Sequence, residues 1–209
     1  MTSEGHDPLN IIVCGVGGQG NILLSRMLGR VFQRRGFNVY IGETFGAAQR
    51  GGPVHSSLRV SRRRQYGPLI PAGRAHLVVG LEPMETLRAL VEFGGEHTVV
   101  ITNTRPVLPT GVLAGRAKYP PLDRLLDAIR RLSKKCWAID VNELAMKLGS
   151  PLVTNTVLMG YLLGTGELPI ELQEVEREVR DSFPPEKAEL NLRGLRLGLD
   201  AIETDWAAI

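Results

Sequence analysis

The order of apolar runs along residues 10–141 constrains the fold of this chain more than any other feature. Short apolar runs typical of buried strands alternate with segments whose apolar residues recur at helical spacing. The strands are predicted at 10–14, 38–43, 76–81, 98–103 and 137–141, and the helices between them at 22–32, 84–93 and 122–132. This alternation predicts an α/β fold with a Rossmann-like, doubly wound and mostly parallel sheet.

Two further patterns complete the predicted organisation. Residues 53–60 alternate in polarity as a half-exposed strand does. The first strand, first helix and second strand are expected to form one βαβ unit. From residue 142 onward helical patterns follow at 143–148, 154–163, 171–183 and 187–202. We therefore expect a flexible N-terminus at 1–9, a Rossmann-like domain at 10–165, and a helical C-terminal arm at 166–209 that packs on the domain or on a partner.

A glycine-rich turn follows the first predicted strand. Gly15, Gly17 and Gly20 match the pattern G-x-G-x-x-G, in which glycine permits a tight turn, close approach of a phosphate, and close helix–strand packing. Glu43 follows about 20 residues later, where dinucleotide-binding proteins carry an acidic residue. The pattern alone is weak. A bound phosphate, a purely structural turn, and a bound NAD or FAD all remain open.

The segment after Glu43 differs from that of an ordinary dehydrogenase. It reads TFGAAQRGG over residues 44–52, with three glycines and the cation Arg50 in place of a helical pattern. Ordering such backbone costs much conformational entropy, and contacts with another surface are needed to offset this cost. A ligand or another subunit is the expected cover.

Composition and charge exclude several classes of function. The chain has two cysteines, Cys14 and Cys136, each within an apolar segment and expected in the core, whereas an iron–sulfur cluster normally needs four thiolates. The four histidines lack metal-ligand spacing. With 5% aromatic residues, nucleic-acid binding has little support. No apolar run reaches the roughly 18 residues of a membrane span and no signal sequence is evident, so a cytoplasmic protein is expected.

The positive charge is concentrated in one run. Arg62, Arg63 and Arg64 are consecutive, with Arg59 nearby, in a chain of formal net charge +3. Two explanations stay open at this point, a solvated loop tip and the steering of an anionic ligand or partner.

Several motifs in order along the chain resemble one known family. GVGGQG at 15–20, GAAQRGG at 46–52, SSLRVS at 56–61 and LEPMETLRAL at 81–90 are similar to the gamma domain of 2-oxoacid:ferredoxin oxidoreductases. The segments NTRPVLPTGVLAGRAKYPP at 103–121 and ELNLRGLRLG at 189–198 resemble in particular the beta subunit of the indolepyruvate enzyme. The resemblance covers roughly residues 10–198.

The resemblance implies an accessory subunit that is inactive alone. Members of this family take part in oxidative decarboxylation of 2-oxoacids, here aryl-2-oxoacids such as indolepyruvate, to acyl-CoA, with ferredoxin as electron acceptor. Thiamine diphosphate, Mg²⁺ and [4Fe-4S] clusters are expected in a large alpha subunit, and this chain lacks the GDG and paired-asparagine motif for thiamine diphosphate. Contact with coenzyme A is expected; a membrane or nucleic-acid partner is not. The alternatives are a free-standing NAD(P)-dependent oxidoreductase and a non-enzymatic nucleotide- or CoA-binding module.

The resemblance also suggests candidate binding or subunit-contact residues, none of them catalytic. Backbone N–H groups of the turn would bind an anion, the Gln19 side chain would donate, and Arg50 would bind a carboxylate or phosphate unless it makes an intersubunit ion pair or is solvated. Gln49 would bind substrate or hold Arg50, and Glu43 would orient the same loop instead of binding a ribose. Asn103 and Asn155 are expected to cap backbone groups. The full set is Gly15, Gly17, Gly18, Gln19, Gly20, Glu43, Gln49, Arg50, Gly51 and Gly52.

Overall fold

The computed structural model describes residues 6–45 and 52–206, which build one sheet covered by helices on both faces. The strands are β1 (Leu9–Val16), β2 (Asn38–Phe45), β3 (Pro53–Ser61), β4 (Leu77–Gly80), β5 (Val99–Asn103) and β6 (Lys135–Ile139). The helices are α1 (Asn21–Arg34), α2 (Pro83–Phe93), α3 (Thr110–Leu113), α4 (Leu122–Leu132), α5 (Val141–Lys147), α6 (Thr154–Gly164), α7 (Leu172–Ser182) and α8 (Pro185–Trp206), with a 3-10 turn at Pro151–Val153.

The sheet is mixed but mostly parallel, with strand order β2-β3-β1-β4-β5-β6. The strands β1, β4, β5 and β6 pair in parallel, whereas β3 is antiparallel to both β1 and β2. The predicted doubly wound α/β class is therefore confirmed. The predicted βαβ unit is present, because β1 and β2 are each antiparallel to β3 and therefore run parallel to one another, joined by α1. Strand β3 lies between them in the sheet.

The alternation of side chains along β1 divides the core into two layers. Ile11 and Val13 face one apolar cluster, which includes residues of α1 and α5 to α8, while Ile12 and Cys14 face the other, which includes residues of α2 and α4. All four side chains are buried. Successive strand residues point to opposite faces, so a strand buried on both faces gives a continuous apolar run.

The C-terminal helices share the larger core with the sheet. Helix α8 lies against α6 so closely that a Cβ on Gly160 would come within 1.8 Å of the Leu195 carbonyl oxygen, and one on Gly198 within 1.9 Å of that of Val157. On α7, Glu178 is buried and its carboxylate lies 3.2 Å from the Arg30 guanidinium of α1. The division of the chain at residue 166 stays a prediction. None of the helices in the described ranges is both long and apolar enough to cross a bilayer.

Candidate functional site

The glycine turn lies at the carboxyl edge of the sheet, between β1 and α1. Gly18 and Gly20 have φ values of 102° and 87°, a region that side chains with a Cβ rarely adopt. At Gly15 a Cβ would lie 2.9 Å from the Cβ of Leu81, which follows β4. These three glycines are therefore required by backbone conformation and by close packing.

Hydrogen bonds within the fold hold the turn. The Gln19 side chain accepts from the Val16 N–H at 2.7 Å and donates to the Leu81 carbonyl at 3.0 Å. The Gly17 N–H donates to the Gly52 carbonyl at 2.9 Å, and the Gln19 N–H to the Val16 carbonyl at 3.1 Å. Gln19 thus fixes the turn with the side-chain atoms that were predicted to bind an anion. Its binding role stays a prediction.

Two amides of the turn differ from the rest. Within residues 6–45 and 52–206, no hydrogen bond uses the N–H of Gly18 or Gly20. The first backbone bond of α1 begins at Leu24, whose N–H donates to the Gly20 carbonyl, so this is also the end at which the helix dipole favours an anion. Of the predicted glycine donors, Gly18 and Gly20 are the ones whose geometry best suits that role.

Three asparagines from distant parts of the chain surround this turn. The Asn155 side chain of α6 donates to the Gln19 carbonyl at 3.1 Å, and its own Oδ1 is buried with no hydrogen-bond partner among the described residues. Asn103, at the end of β5, donates to the Leu81 carbonyl at 3.1 Å and to Asn142 Oδ1 at 2.8 Å, and accepts from the Val141 N–H. Asn103 and Asn155 therefore bind backbone groups, as expected.

The turn, Asn142 and Asn155 border an open cavity of about 260 Å³. Its lining includes Gly18, Gly20, Asn142, Asn155 and the exposed Leu152. Asn142 was not predicted from the sequence, although its position just after β6 was a usable signal, because ligands of parallel sheets bind where the strands end.

A buried acidic group lies next to the turn and was also not predicted. Glu82, 1% exposed, follows β4; one of its carboxylate oxygens accepts from the Glu85 N–H at 2.8 Å and the other from the Tyr119 hydroxyl. Burial, followed by this bond to a carboxylate, raises the pKa of Tyr119 above its usual value. Burial also raises the pKa of Glu85. The contact fixes the end of the long connection after β5 onto the carboxyl edge.

Of the other predicted site residues, the structure describes Glu43 and Gly52. Glu43 lies at the end of β2 with its carboxylate 3.1 Å from the Arg26 guanidinium of α1. Gly52 is buried and binds the turn through its carbonyl. Gln49, Arg50 and Gly51 lie outside the described residues, so their roles stay predictions.

The cysteines lie on different strands of the sheet, with Cys14 on β1 and Cys136 on β6. Burial raises the pKa of Cys136 to about 11, and that of Cys14 still further, which leaves both as neutral thiols at neutral pH. Elsewhere in the described part of the chain, no group of three or more histidine, cysteine, aspartate or glutamate side chains is placed to hold a metal ion. The residues present do not fit an iron–sulfur cluster, which requires several converging thiolates.

Comparison with known proteins identifies the family. Residues 10–201 match the model of the pyruvate ferredoxin/flavodoxin oxidoreductase family. The chain belongs to this family. It is 41% identical over 190 residues to the indolepyruvate oxidoreductase subunit IorB of Archaeoglobus fulgidus, covering 91% of this chain and 93% of that one. It is 36% identical over 193 residues to the IorB subunit of Thermococcus kodakarensis, covering 92% and 95%.

Solved structures share the fold of this family member. The pyruvate oxidoreductase subunit PORC of Thermotoga maritima aligns with a TM-score of 0.67 at 20% identity, over 93% of this chain and 97% of that one. A 2-oxoglutarate:ferredoxin oxidoreductase of Magnetococcus marinus, solved with 2-oxoglutarate, coenzyme A and succinyl-CoA bound, aligns with a TM-score of 0.69 at 19% identity. That match covers 94% of this chain and 32% of the other, so the same fold occurs there within a longer polypeptide. These structures show the fold, whereas the family match and the IorB relatives support an accessory subunit of an oxidoreductase complex.

Proposed function

We propose that this chain is the small subunit of an aryl-2-oxoacid:ferredoxin oxidoreductase that converts substrates such as indolepyruvate to aryl-acyl-CoA. The observation that carries the proposal is the 41% identity to an indolepyruvate oxidoreductase subunit over nearly the full length of both chains. The chain would complete the active site of a larger partner and would be inactive alone.

The chemistry of the reaction assigns the cofactors to the partner. Oxidative decarboxylation of a 2-oxoacid needs a carbanion-stabilising cofactor, and removal of the electrons needs a redox centre. With two cysteines on separate strands, this chain offers no set of thiolates for a cluster. We therefore assign thiamine diphosphate, Mg²⁺ and [4Fe-4S] clusters to a large alpha subunit, from which ferredoxin receives the electrons.

We further propose that the carboxyl edge of this chain contacts coenzyme A. The N–H groups of Gly18 and Gly20 would donate to a phosphate oxygen. Asn155 Oδ1, which has no hydrogen-bond partner in the described ranges, would accept a hydrogen bond from the ligand. Gln49, Arg50 and Gly51 precede Gly52 in the sequence, and they stay candidates for contact with the same ligand. No residue of this edge needs to act as acid, base or nucleophile in this role.

A free-standing NAD(P)-dependent enzyme is less well supported by the geometry. In such enzymes an acidic residue at the end of the second strand binds the ribose, whereas Glu43 here lies 3.1 Å from Arg26. Titration of the purified chain with NAD(H) and NADP(H) separates the two proposals. We expect no binding at micromolar concentrations, and micromolar binding would favour the dehydrogenase.

Assembly is tested by co-expressing the tagged chain with the product of a neighbouring gene that encodes a thiamine-diphosphate and ferredoxin-like large subunit. We expect the two chains to co-purify at a fixed ratio. The complex should consume coenzyme A while it reduces a dye in a reaction that depends on indolepyruvate. Failure of the two chains to co-purify, or equal rates of dye reduction with and without coenzyme A, would contradict the proposal.

A further inference from the structure

A second candidate site lies at the amino edge of the sheet, opposite the glycine turn. Two adjoining cavities of about 620 and 410 Å³ share His6 and Asp7 in their linings, and together we call them the cationic cleft. Strand β1 separates it from the turn by eight residues, about 23 Å. The cleft is therefore distinct from the site assigned to coenzyme A.

The larger cavity combines an apolar floor with a cationic rim. Leu9, Phe32 and Val60 lie buried beneath it, and the half-buried Phe37 and Pro169 supply the accessible apolar surface of this floor. The rim carries Arg62 and Arg63, and its volume falls within the roughly 300–1,000 Å³ of typical ligand pockets. An apolar floor under guanidinium groups suits a molecule that has both a ring and an anionic group.

The cleft holds a large share of the positive charge of the molecule. The two linings contain five arginines and one aspartate, which gives a formal charge above the +3 of the entire chain. His76 adds no charge at neutral pH, because burial lowers its pKa to about 4. Such an excess in a concave surface raises the local concentration of anions.

The five arginines are not equally free to bind a ligand. Arg35 lies 3.3 Å from the Glu174 carboxylate, and Arg59 donates to the carbonyls of Gly67 and Leu69. By contrast, Arg62 and Arg74 have no carboxylate within ion-pair distance in the described ranges, and Arg63 lies 3.8 Å from Asp7 with its side chain 85% exposed. Two or three guanidinium groups are thus available.

A built turn presents these arginines. The Ser61 hydroxyl is buried, accepts from the N–H groups of Arg63 and Arg64 at 3.1 Å each, and donates to the Asp7 carboxylate. The Arg62 guanidinium stacks over the Phe37 ring at 4.3 Å from its centroid. Stacking of this kind restricts the planar fork, so less entropy is lost when it binds an anion. These contacts distinguish the run from a freely solvated loop tip.

We propose that the cationic cleft binds a small organic phosphate that carries an aromatic ring, of the chemical class of nucleoside diphosphates. The forked guanidinium groups of Arg62 and Arg63 would bind the phosphates, because their geometry matches planar, bidentate recognition of phosphate oxygens. The apolar floor would contact the ring. This site is independent of coenzyme A binding at the carboxyl edge.

The test is calorimetric titration of the full chain with ADP, adenosine and inorganic pyrophosphate. We expect ADP to bind. Adenosine and pyrophosphate should each bind at least about tenfold more weakly than ADP, because each offers only part of the required chemistry. The double variant Arg62→Gln/Arg63→Gln should weaken ADP binding by about tenfold or more. The matched control is Arg130→Gln/Arg131→Gln, which removes two adjacent exposed arginines of α4 and should leave binding unchanged.

Two further variants keep the outcomes separate. Arg74→Gln, in the smaller cavity, should weaken ADP binding even if the double variant proves unstable by circular dichroism. Gly18→Ala tells the two edges apart, because ADP binding that persists in this variant is not located at the glycine turn. No heat with millimolar ADP, equal binding of pyrophosphate and ADP, or loss of ADP binding in Gly18→Ala but not in the arginine variants would overturn the proposal.

Discussion

At the scale of single residues, the carboxyl edge uses polar side chains to hold backbone and leaves backbone groups for a ligand. Gln19, Asn103 and Asn155 all bind carbonyl or amide groups near the turn. The N–H groups of Gly18 and Gly20 remain without such bonds among the described residues. Backbone donors fixed in this way cost little reorganisation when an anion binds.

Substitution of Gly18 tests that division. Gly18→Ala places a Cβ on a residue with φ of 102°, where open space surrounds it, so the effect should come from a shift of the turn. We expect the KM for coenzyme A of the assembled complex to rise by about tenfold, as expected for a lost charge-assisted hydrogen bond. Gly166→Ala, at φ of 69° in equally open space, is the matched control. Equal KM values in the two variants would contradict the assigned role.

The Tyr119–Glu82 contact leads to a prediction about pH. The pKa of Tyr119 is raised in the folded chain, so the contact should stabilise the fold below pH 10, the usual tyrosine value, and lose this effect as pH rises further. Tyr119→Phe should lower the free energy of unfolding by about 1–3 kcal/mol at neutral pH, with the difference shrinking above pH 10.

Denaturant unfolding at several pH values measures this difference. Tyr40→Phe is the control, because no hydrogen bond to its hydroxyl occurs within the described residues. A Tyr119→Phe variant as stable as the parent, or a difference that grows above pH 10, would show that the contact does not support the carboxyl edge.

The sequence predicts the glycines of the site better than its side-chain contacts. Gly15, Gly18 and Gly20 could be predicted because a tight strand–helix turn constrains backbone locally. Asn142, Asn155 and Tyr119 reach the edge from later parts of the chain. Their proximity depends on strand order and helix packing, and no spacing in the sequence specifies these.

At the scale of elements, periodicity and capping residues fix most boundaries. Helix α2 begins at Pro83, one residue before the predicted start at 84, because proline suits a first helical position and Glu82 caps the helix. Strand β6 lies two residues earlier than predicted, since Asp140 caps α5 and Val141 already belongs to that helix. The pairing of β3 could not be predicted, because alternation identifies a strand without naming its neighbours.

The crossing of α6 and α8 provides a prediction for one pair of helices. Gly198→Ala would place a Cβ 1.9 Å from the Val157 carbonyl oxygen, and backbone cannot yield as a flexible side chain does. We expect the free energy of unfolding to fall by about 2 kcal/mol. Gly67→Ala, where a Cβ meets nothing within 4 Å, should change it by less than about 0.5 kcal/mol. Thermal unfolding of both variants decides, and equal midpoints would refute the close crossing.

At the scale of the whole molecule, the sheet separates two edges of different chemistry. The carboxyl edge offers backbone amides, asparagines and a buried glutamate, while the amino edge offers guanidinium groups over apolar residues. Neither edge brings together a set of cysteines, and the two cysteines lie on strands separated by β4 and β5. This arrangement supports the proposal that the chain binds and positions ligands while a partner subunit carries out the redox chemistry.

The proposal that this chain is an accessory subunit is tested most directly by titrating it into the purified large subunit. The quantity measured is the rate of indolepyruvate-dependent reduction of ferredoxin in the presence of coenzyme A. We predict no turnover by this chain alone, little by the large subunit alone, and a rate that rises with added chain until a fixed molar ratio is reached. Turnover by this chain in isolation, or a full rate from the large subunit without it, would contradict the account.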